Sequence, residues 1–543
     1  MTPPTVADAV VHKLIETGLR TVYCLPGLQS DALFNALFDA GKEVRAVHTR
    51  HEQAAAYMAL GAALATGRPA VYSVVPGPGF LNSTAALATA YTTNARLLCL
   101  IGQIPSRAIG RGAGLLHEIP DQSGILRRLT KWADLVASPS EAACKLAKAF
   151  VQLTSGRPRP VGLEIPPDIL AAPMPATRPC LAAAEADPEP EEEMIQKAAD
   201  LLASSKHPMI FVGGGALEAT AEVRWLAERI QAPVVSYRLG RGVLDDRHPL
   251  SLNITGAHRL WKDADVVVAI GTRLQIPLMN WGSDEALKVI RIEIDAPEVS
   301  RIKPPAVALI GSAGSVLRRL APAVDAVAGT RASRIEELRA LKEAVARDIS
   351  ILEPQLSYLA AIRSALPENG ILVDDLTQLS YVARFAFPVY APRTYLCSGH
   401  QGTLGSGFAI ALGAQDARRD VPVVSISGDG GFLYNVQEMA TAVQHRIPLV
   451  TVVFNDNAFG NVKRMQETLY GNRVIASDLT NPDFVRLAES FGIAAYRVAS
   501  PELLRATLER TLAARQPALI EVPCGPMPNP FPFFDLPKVR GLS

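Results

Sequence analysis

VPVVSISGDGGFLYNVQEMATAVQHRIPLVTVVFNDNAFG, residues 421–460, is the stretch on which the fold turns. Apolar, β-branched runs at 421–426 and 449–454 each end in a polar tip. The tips are Gly428-Asp429-Gly430 and Asn455-Asp456-Asn457, with a helix-like segment, 435–444, between them. The pattern reads as strand–loop–helix–strand, with both tips at the carboxyl ends of parallel strands, where open α/β sheets place ligands. Glycines let the backbone approach a diphosphate, and Asp429 offers a hard oxygen that the second tip supplements. Together they can hold a magnesium ion bridging to phosphate. Gly-Asp-Gly alone is also an ordinary turn. The paired tips at this spacing favour a site.

Working outward, the alternation of helix and strand continues along the whole chain. Helical spacing at 6–17 and 30–38 flanks a short strand at 21–25, and buried parallel strands are predicted at 70–75, 97–101 and 160–165. A Pro-, Ala- and Glu-rich segment, 171–193, reads as an exposed linker. A second α/β block has predicted strands at 209–212, 233–236, 266–270 and 289–294. Its Gly213-Gly214-Gly215 suits either a phosphate loop or tight packing, and packing is preferred. A charged helical stretch, 332–349, leads to the third block, which carries the GDG segment. The first and third blocks are similar in length and alternation. The domain reading is 1–170, a linker at 171–193, 194–330, a linker helix at 331–350, and 351–543.

The chain's 543 residues are too many for one core. Lys and Arg number 54 against 53 Asp and Glu, with no basic stripe interleaved with aromatics, which argues against nucleic acid as a partner. No apolar run reaches membrane-spanning length and the N-terminus lacks a signal-peptide layout, so the expectation is a cytoplasmic protein with no membrane partner. Six cysteines without a CxxC pair predict buried or free thiols rather than zinc ligands.

With these motifs in view the chain resembles the thiamine diphosphate (ThDP) enzymes of the acetolactate synthase, pyruvate oxidase and benzoylformate decarboxylase type. The GDG…ND segment matches their diphosphate and metal motif. Thr49-Arg50-His51-Glu52-Gln53-Ala54-Ala55 matches the segment with their activating glutamate. Pro76-Gly77-Pro78-Gly79 matches the turn after their third strand, and Gly102-Gln103-Ile104-Pro105 resembles the next strand end. Gly402-Thr403-Leu404-Gly405 matches the loop under the cofactor's bend. The motifs fall in family order across almost the whole chain. The resemblance implies an α/β fold of three doubly wound parallel-sheet domains, with pyrimidine-binding and diphosphate-binding domains flanking a Rossmann-like central one. It also implies a homodimer or homotetramer, in which the first domain of one copy meets the third domain of another at the cofactor.

The resemblance implies a catalytic role for Glu52, which would hydrogen-bond N1′ of the cofactor's aminopyrimidine. The following AAAYMALGAALA gives that carboxylate an apolar setting, although a helix N-terminal Glu also suits the dipole. Leu404 would wedge beneath the cofactor, and its flanking glycines suit a backbone that reaches the pyrimidine. Asp429, Asp456 and the Ala458 carbonyl are implied as Mg²⁺ ligands, with Asn457 the adjacent alternative. Many relatives have Asn-Asn where this chain has Asn455-Asp456, so one extra negative charge stands beside the diphosphate. Gly428, Gly430, Gly431 and Phe432 begin the segment whose N–H groups can hold diphosphate oxygens. Further cofactor contacts are implied for Pro26, Pro76, Gly77, Thr377, Gln378, Gly402, Thr403 and Phe459.

The substrate side departs from acetolactate synthases. They carry Phe-Gln where this chain has Leu116-His117, and a tryptophan where ungapped alignment puts Met465. Gln29 stands where benzaldehyde lyase carries a catalytic histidine. His117 and His400 are acid/base candidates, with a structural histidine the alternative for each. Lys131 matches a lysine of acetolactate synthases or is a surface lysine. Phe459 and FPFFD, 531–535, line the pocket or simply pack. The expected activity is a Mg²⁺/ThDP-dependent, acetolactate-synthase-like carboligase acting on 2-keto acids or aldehydes. A 2-keto acid decarboxylase or a 2-hydroxyacyl-CoA-lyase-like enzyme is second, and a catalytically silent protein of this fold is remote. FAD is a further cofactor that the central domain of some relatives binds.

Overall fold

A computed structural model describes residues 3–175 and 186–541. The chain forms three six-stranded sheets, parallel throughout. The first contains β1 (Thr21–Cys24), β2 (Arg45–His48), β3 (Ala70–Val74), β4 (Leu97–Gly102), β5 (Trp132–Leu135) and β6 (Val161–Ile165). The second contains β7 (Pro208–Val212), β8 (Val234–Ser236), β9 (Ser251–Leu252), β10 (Val266–Ile270), β11 (Lys288–Glu293) and β12 (Val307–Ile310). The third contains β13 (Ile371–Asp374), β14 (Tyr395–Leu396), β15 (Val423–Gly428), β16 (Val450–Asn455), β17 (Ala494–Arg497) and β18 (Ala518–Pro523).

The first and third sheets share one strand order, β2-β1-β3-β4-β6-β5 and β14-β13-β15-β16-β18-β17. The similarity of the two outer blocks is therefore topological. The central order, β12-β11-β10-β7-β8-β9, is the 3-2-1-4-5-6 arrangement of a Rossmann sheet read from its other edge. Central strands such as Val266–Ile270 are buried along their whole length, as helices on both faces of a parallel sheet require.

The first and third domains meet helix against helix. Glu52–Thr66 is buried from Ala54 through Ala65 and packs on Gly407–Ala417. Two glycines set the approach. A Cβ on Gly61 would lie 1.9 Å from the Ile410 carbonyl oxygen, and one on Gly413 would lie 1.8 Å from that of Met58. The run of Ala and Gly is thus what lets two backbones touch. At the rim, Arg45 and Tyr23 reach the buried Asp416 at 2.6 and 3.0 Å.

Several expectations are corrected. Residues 435–444 are not one helix but a 3₁₀ turn, Val436–Glu438, running into Met439–Gln444. The charged stretch does form a helix, Ile335–Ile349, and it packs Leu338, Val345 and Ile349 into the core. In the segment read as an exposed linker, Pro173 bridges back to Thr5 and a helix begins at Glu192, while residues 176–185 lie outside the described residues. Cys24, Cys99, Cys397 and Cys524 are free thiols, as expected, the first three buried, whereas Cys144 is disulfide-bonded. Among the described residues no helix is long and apolar enough to cross a membrane.

Candidate active site

In the third domain, β13, β15 and β16 are neighbours, so the segments following them converge at one carboxyl edge. Thr377 caps the helix Gln378–Ala386 through a capping box with Ser380, and lies 3.5 Å from where a Cβ on Gly428 would stand. After β15 the chain enters a short helix, Asp429–Phe432. Gly430 packs beneath Phe459, whose ring a Cβ there would meet at 2.6 Å. Phe432 turns its ring into the core against Phe408 and Phe484, which leaves only its backbone for a ligand.

Asp429 and Asp456 face each other within hydrogen-bonding reach at the two tips. Burial, then the opposing Asp456, pushes Asp429 up to about 6. Burial raises Asp456 as well, against the hydrogen bond from Gln378. Asn481 Nδ2 donates to Asp429 at 2.6 Å and to Asn455 Oδ1 at 3.0 Å, fixing the first carboxylate. Asn455 turns inward and donates to Glu521 at 2.9 Å. The Asn457 carbonyl accepts from Leu479 N–H at 2.8 Å. Asp456, not Asn457, is therefore the residue that meets Asp429. Two facing carboxylates repel, and a divalent cation with oxygen preference would relieve that repulsion, so the donor set fits Mg²⁺.

The loop with Leu404 lies beside this edge. Gly402 and Gly405 have φ of 60° and 80°, a conformation costly to any side chain. Leu404 Cδ1 would stand 3.1 Å from a Cβ on Gly431. Thr403 Oγ1 pairs with Thr89 of the first domain at 2.9 Å. Asp375 accepts from the N–H groups of Gly405 (3.0 Å) and Gly407 (3.3 Å), and burial pushes its pKa up to about 7. Asn435 donates to the Gly405 carbonyl at 2.6 Å and accepts from Gln53 at 3.3 Å.

Glu52 is the first residue of its helix, whose N-cap is His51, and its carboxylate accepts from Asn82 at 3.0 Å. Its side chain is 14% exposed, so it retains an open face. Pro76 is buried and Pro26 exposed, each just past a strand end. Gly77, at φ 58°, donates to Gln122 at 2.8 Å and backs onto the His117 carbonyl. His117 also has positive φ, 68°, and its Nδ1 lies 3.2 Å from Gln29 Oε1. Gln29 thus has a histidine ring beside it.

His400 stands two residues before the 402–405 loop. It keeps an exposed edge, while desolvation and then Arg273, Arg238 and Arg157 lower its pKa. The charged neighbours of His400 thus differ from the Gln29 partner of His117. Lys131 Nζ donates to the Gln152 and Ser155 carbonyls at a helix end, which is a structural role. The aromatic 531–535 segment packs on Tyr381 and Phe385. The glycine triplet is explained by contact with Gly271: a Cβ on Gly213 would lie 2.3 Å from its carbonyl oxygen and one on Gly215 2.7 Å from its Cα. Sequence reasoning missed Asn435, Glu438 and Asn481, whose partners are remote in the chain.

Comparison with known proteins agrees with this geometry. The chain matches the N-terminal TPP binding domain of thiamine pyrophosphate enzymes over residues 4–125, their central domain over 195–320, and their C-terminal TPP binding domain over 375–522. It belongs to the thiamine pyrophosphate enzyme family and is a ThDP-dependent enzyme of the acetolactate synthase type. It is 33% identical to a probable acetolactate synthase large subunit of Methanocaldococcus jannaschii, over 96% of this chain and 92% of that one. It is 32% identical to the acetolactate synthase isozyme 1 large subunit of Escherichia coli (95% and 93%). It is also 34% identical to a probable 2-ketoarginine decarboxylase of Pseudomonas aeruginosa (94% and 91%).

Proposed function

We propose that the protein cleaves a 2-keto acid and joins the retained fragment to a second carbonyl, with Mg²⁺ and ThDP as cofactors. The observation that carries this reading is the facing pair Asp429 and Asp456, at adjacent strand tips of a chain matched by TPP binding domains at both ends. Asp429, Asp456 and the Ala458 carbonyl would hold the metal. The N–H groups of Gly430, Gly431 and Phe432, with Thr377 and Gln378, would hold the diphosphate. Bound ThDP supplies a nucleophilic carbon that adds to a carbonyl and accepts the electrons of the cleaved C–C bond.

Around it the chain's own groups have distinct tasks. Glu52, oriented by Asn82, would hold a proton for the cofactor's aminopyrimidine. Leu404, on a loop fixed by Asp375 and Asn435, would support the cofactor from beneath. His117, in contact with Gln29, would move protons at the substrate. His400, whose pKa burial and the nearby arginines lower, would suit a base better than an acid. The match to TPP binding domains at both ends of the chain supports a homodimer or homotetramer with sites shared between copies, as the family resemblance implies.

The decarboxylase reading is second, favoured by the Pseudomonas relative and by Met465 and Leu116-His117. FAD has no support from the glycine triplet, and a purified protein without flavin absorbance would dispose of it. Incubation with pyruvate, ThDP and Mg²⁺, with products identified by mass, separates the readings. Acetolactate supports the carboligase, and free aldehyde alone supports the decarboxylase.

A further inference from the structure

The second strand tip bears an aspartate where many relatives of this type have an asparagine, and a specific chain of contacts meets that carboxylate. Gln378 Nε2 donates to Asp456 Oδ2 at 2.5 Å. Gln378 Oε1 in turn accepts from Arg464 Nη2 at 2.6 Å and from the Met527 N–H at 3.3 Å. Arg464 Nη2 also donates to the Met527 carbonyl at 2.6 Å. The amide is only 7% exposed, and its orientation follows from its neighbours. Only Oε1 can accept from a guanidinium, so Nε2 must face the carboxylate.

Two more features fit this arrangement. A Cβ on Gly460 would stand 2.4 Å from Asp456 Oδ2 and 2.9 Å from Gln378 Nε2, so the turn leaves the contact room that a side chain would fill. Arg464 lies on Gly460–Leu469, a helix without a fully buried residue, yet its Nη1 is buried without a hydrogen-bond partner. Little but the tip-side contacts explains drawing this guanidinium inward from a surface helix. A cation one amide away from a buried carboxylate is attracted to it more strongly than in water.

We propose that Arg464, acting through Gln378, is the positioning and charge-compensating residue that allows Asp456 to serve as the second metal ligand. The inference rests on Asp429 and Asp456 being the metal site. It assigns Gln378 a second task beside diphosphate binding, namely holding one Asp456 oxygen so that the carboxylate keeps its aim.

The test is a double-mutant cycle of R464M and D456N, read by calorimetric titration of ThDP at saturating Mg²⁺, with thermal melting to confirm folding. R464M is expected to weaken binding at least about tenfold in the wild-type background and less than about twofold in the D456N background. R464K, which keeps the charge, should retain most of the binding. Equal losses in both backgrounds would mean that Arg464 merely anchors its helix to Met527, and would overturn the inference while leaving the cofactor reading intact. A folded wild-type protein that binds no ThDP in Mg²⁺ would overturn both.

Discussion

The backbone N–H of Arg50 meets both carboxylate oxygens of Glu438 at 3.1 Å, so the backbone two residues before Glu52 hangs on the segment that follows GDG. Glu438 is fully buried and also accepts from Thr441 at 2.5 Å. Glu438→Ala would strand both donors, at about 1–3 kcal/mol each. The displaced Glu52 should lower kcat by about tenfold or more. Glu438→Gln, which keeps one acceptor, should recover part of the melting temperature and of kcat.

The glycine crossing gives a sharper stability test. Gly413→Ala places a methyl 1.8 Å from the Met58 carbonyl oxygen, with no flexible side chain to yield. The expected loss is about 3 kcal/mol, the upper end of overpacking. Gly525→Ala, where a Cβ meets nothing within 4 Å, is the control and should leave the melting temperature unchanged.

Asp375 makes stability depend on pH in a stated direction. Its folded pKa, pushed up to about 7 by burial, stands above its ordinary 3.8. Protonation therefore favours the folded state: the contribution is full below about pH 4 and is lost as pH rises through 7, up to about 4 kcal/mol. Denaturant midpoints from pH 4 to 8 should fall less steeply for Asp375→Asn than for the wild type. Parallel slopes would contradict the assignment.

Glu52→Gln keeps the Asn82 contact but cannot hold the same proton. Turnover of the best 2-keto acid should fall about 100-fold or more while ThDP affinity changes little. Unchanged turnover would revive the reading of a silent protein of this fold.

The sequence carried the tips because Gly and Asp interrupt long β-branched runs at 421–426 and 449–454, a contrast visible without tertiary information. Strands at sheet margins were not legible. Arg45–His48, Trp132–Leu135 and Ala494–Arg497 are only partly buried and lack an apolar run. Asn481 and Glu438 escaped notice because their partners, Asp429 and Arg50, lie 52 and 388 residues away. His117 was chosen for its chemistry, but its contact with Gln29 depends on a left-handed backbone that no neighbouring residue announces. His400 has the same chemistry, but its charged neighbours, Arg157 of the first domain and Arg238 and Arg273 of the central one, are remote in the chain.

The central claim is that Asp429 and Asp456 form a metal site that binds ThDP, and calorimetric titration with ThDP, with and without Mg²⁺, tests it most directly. The account predicts that the wild type binds ThDP only with the metal present and that Asp429→Ala abolishes this binding while remaining folded. ThDP binding by the wild type that needs neither Mg²⁺ nor Asp429 would contradict it.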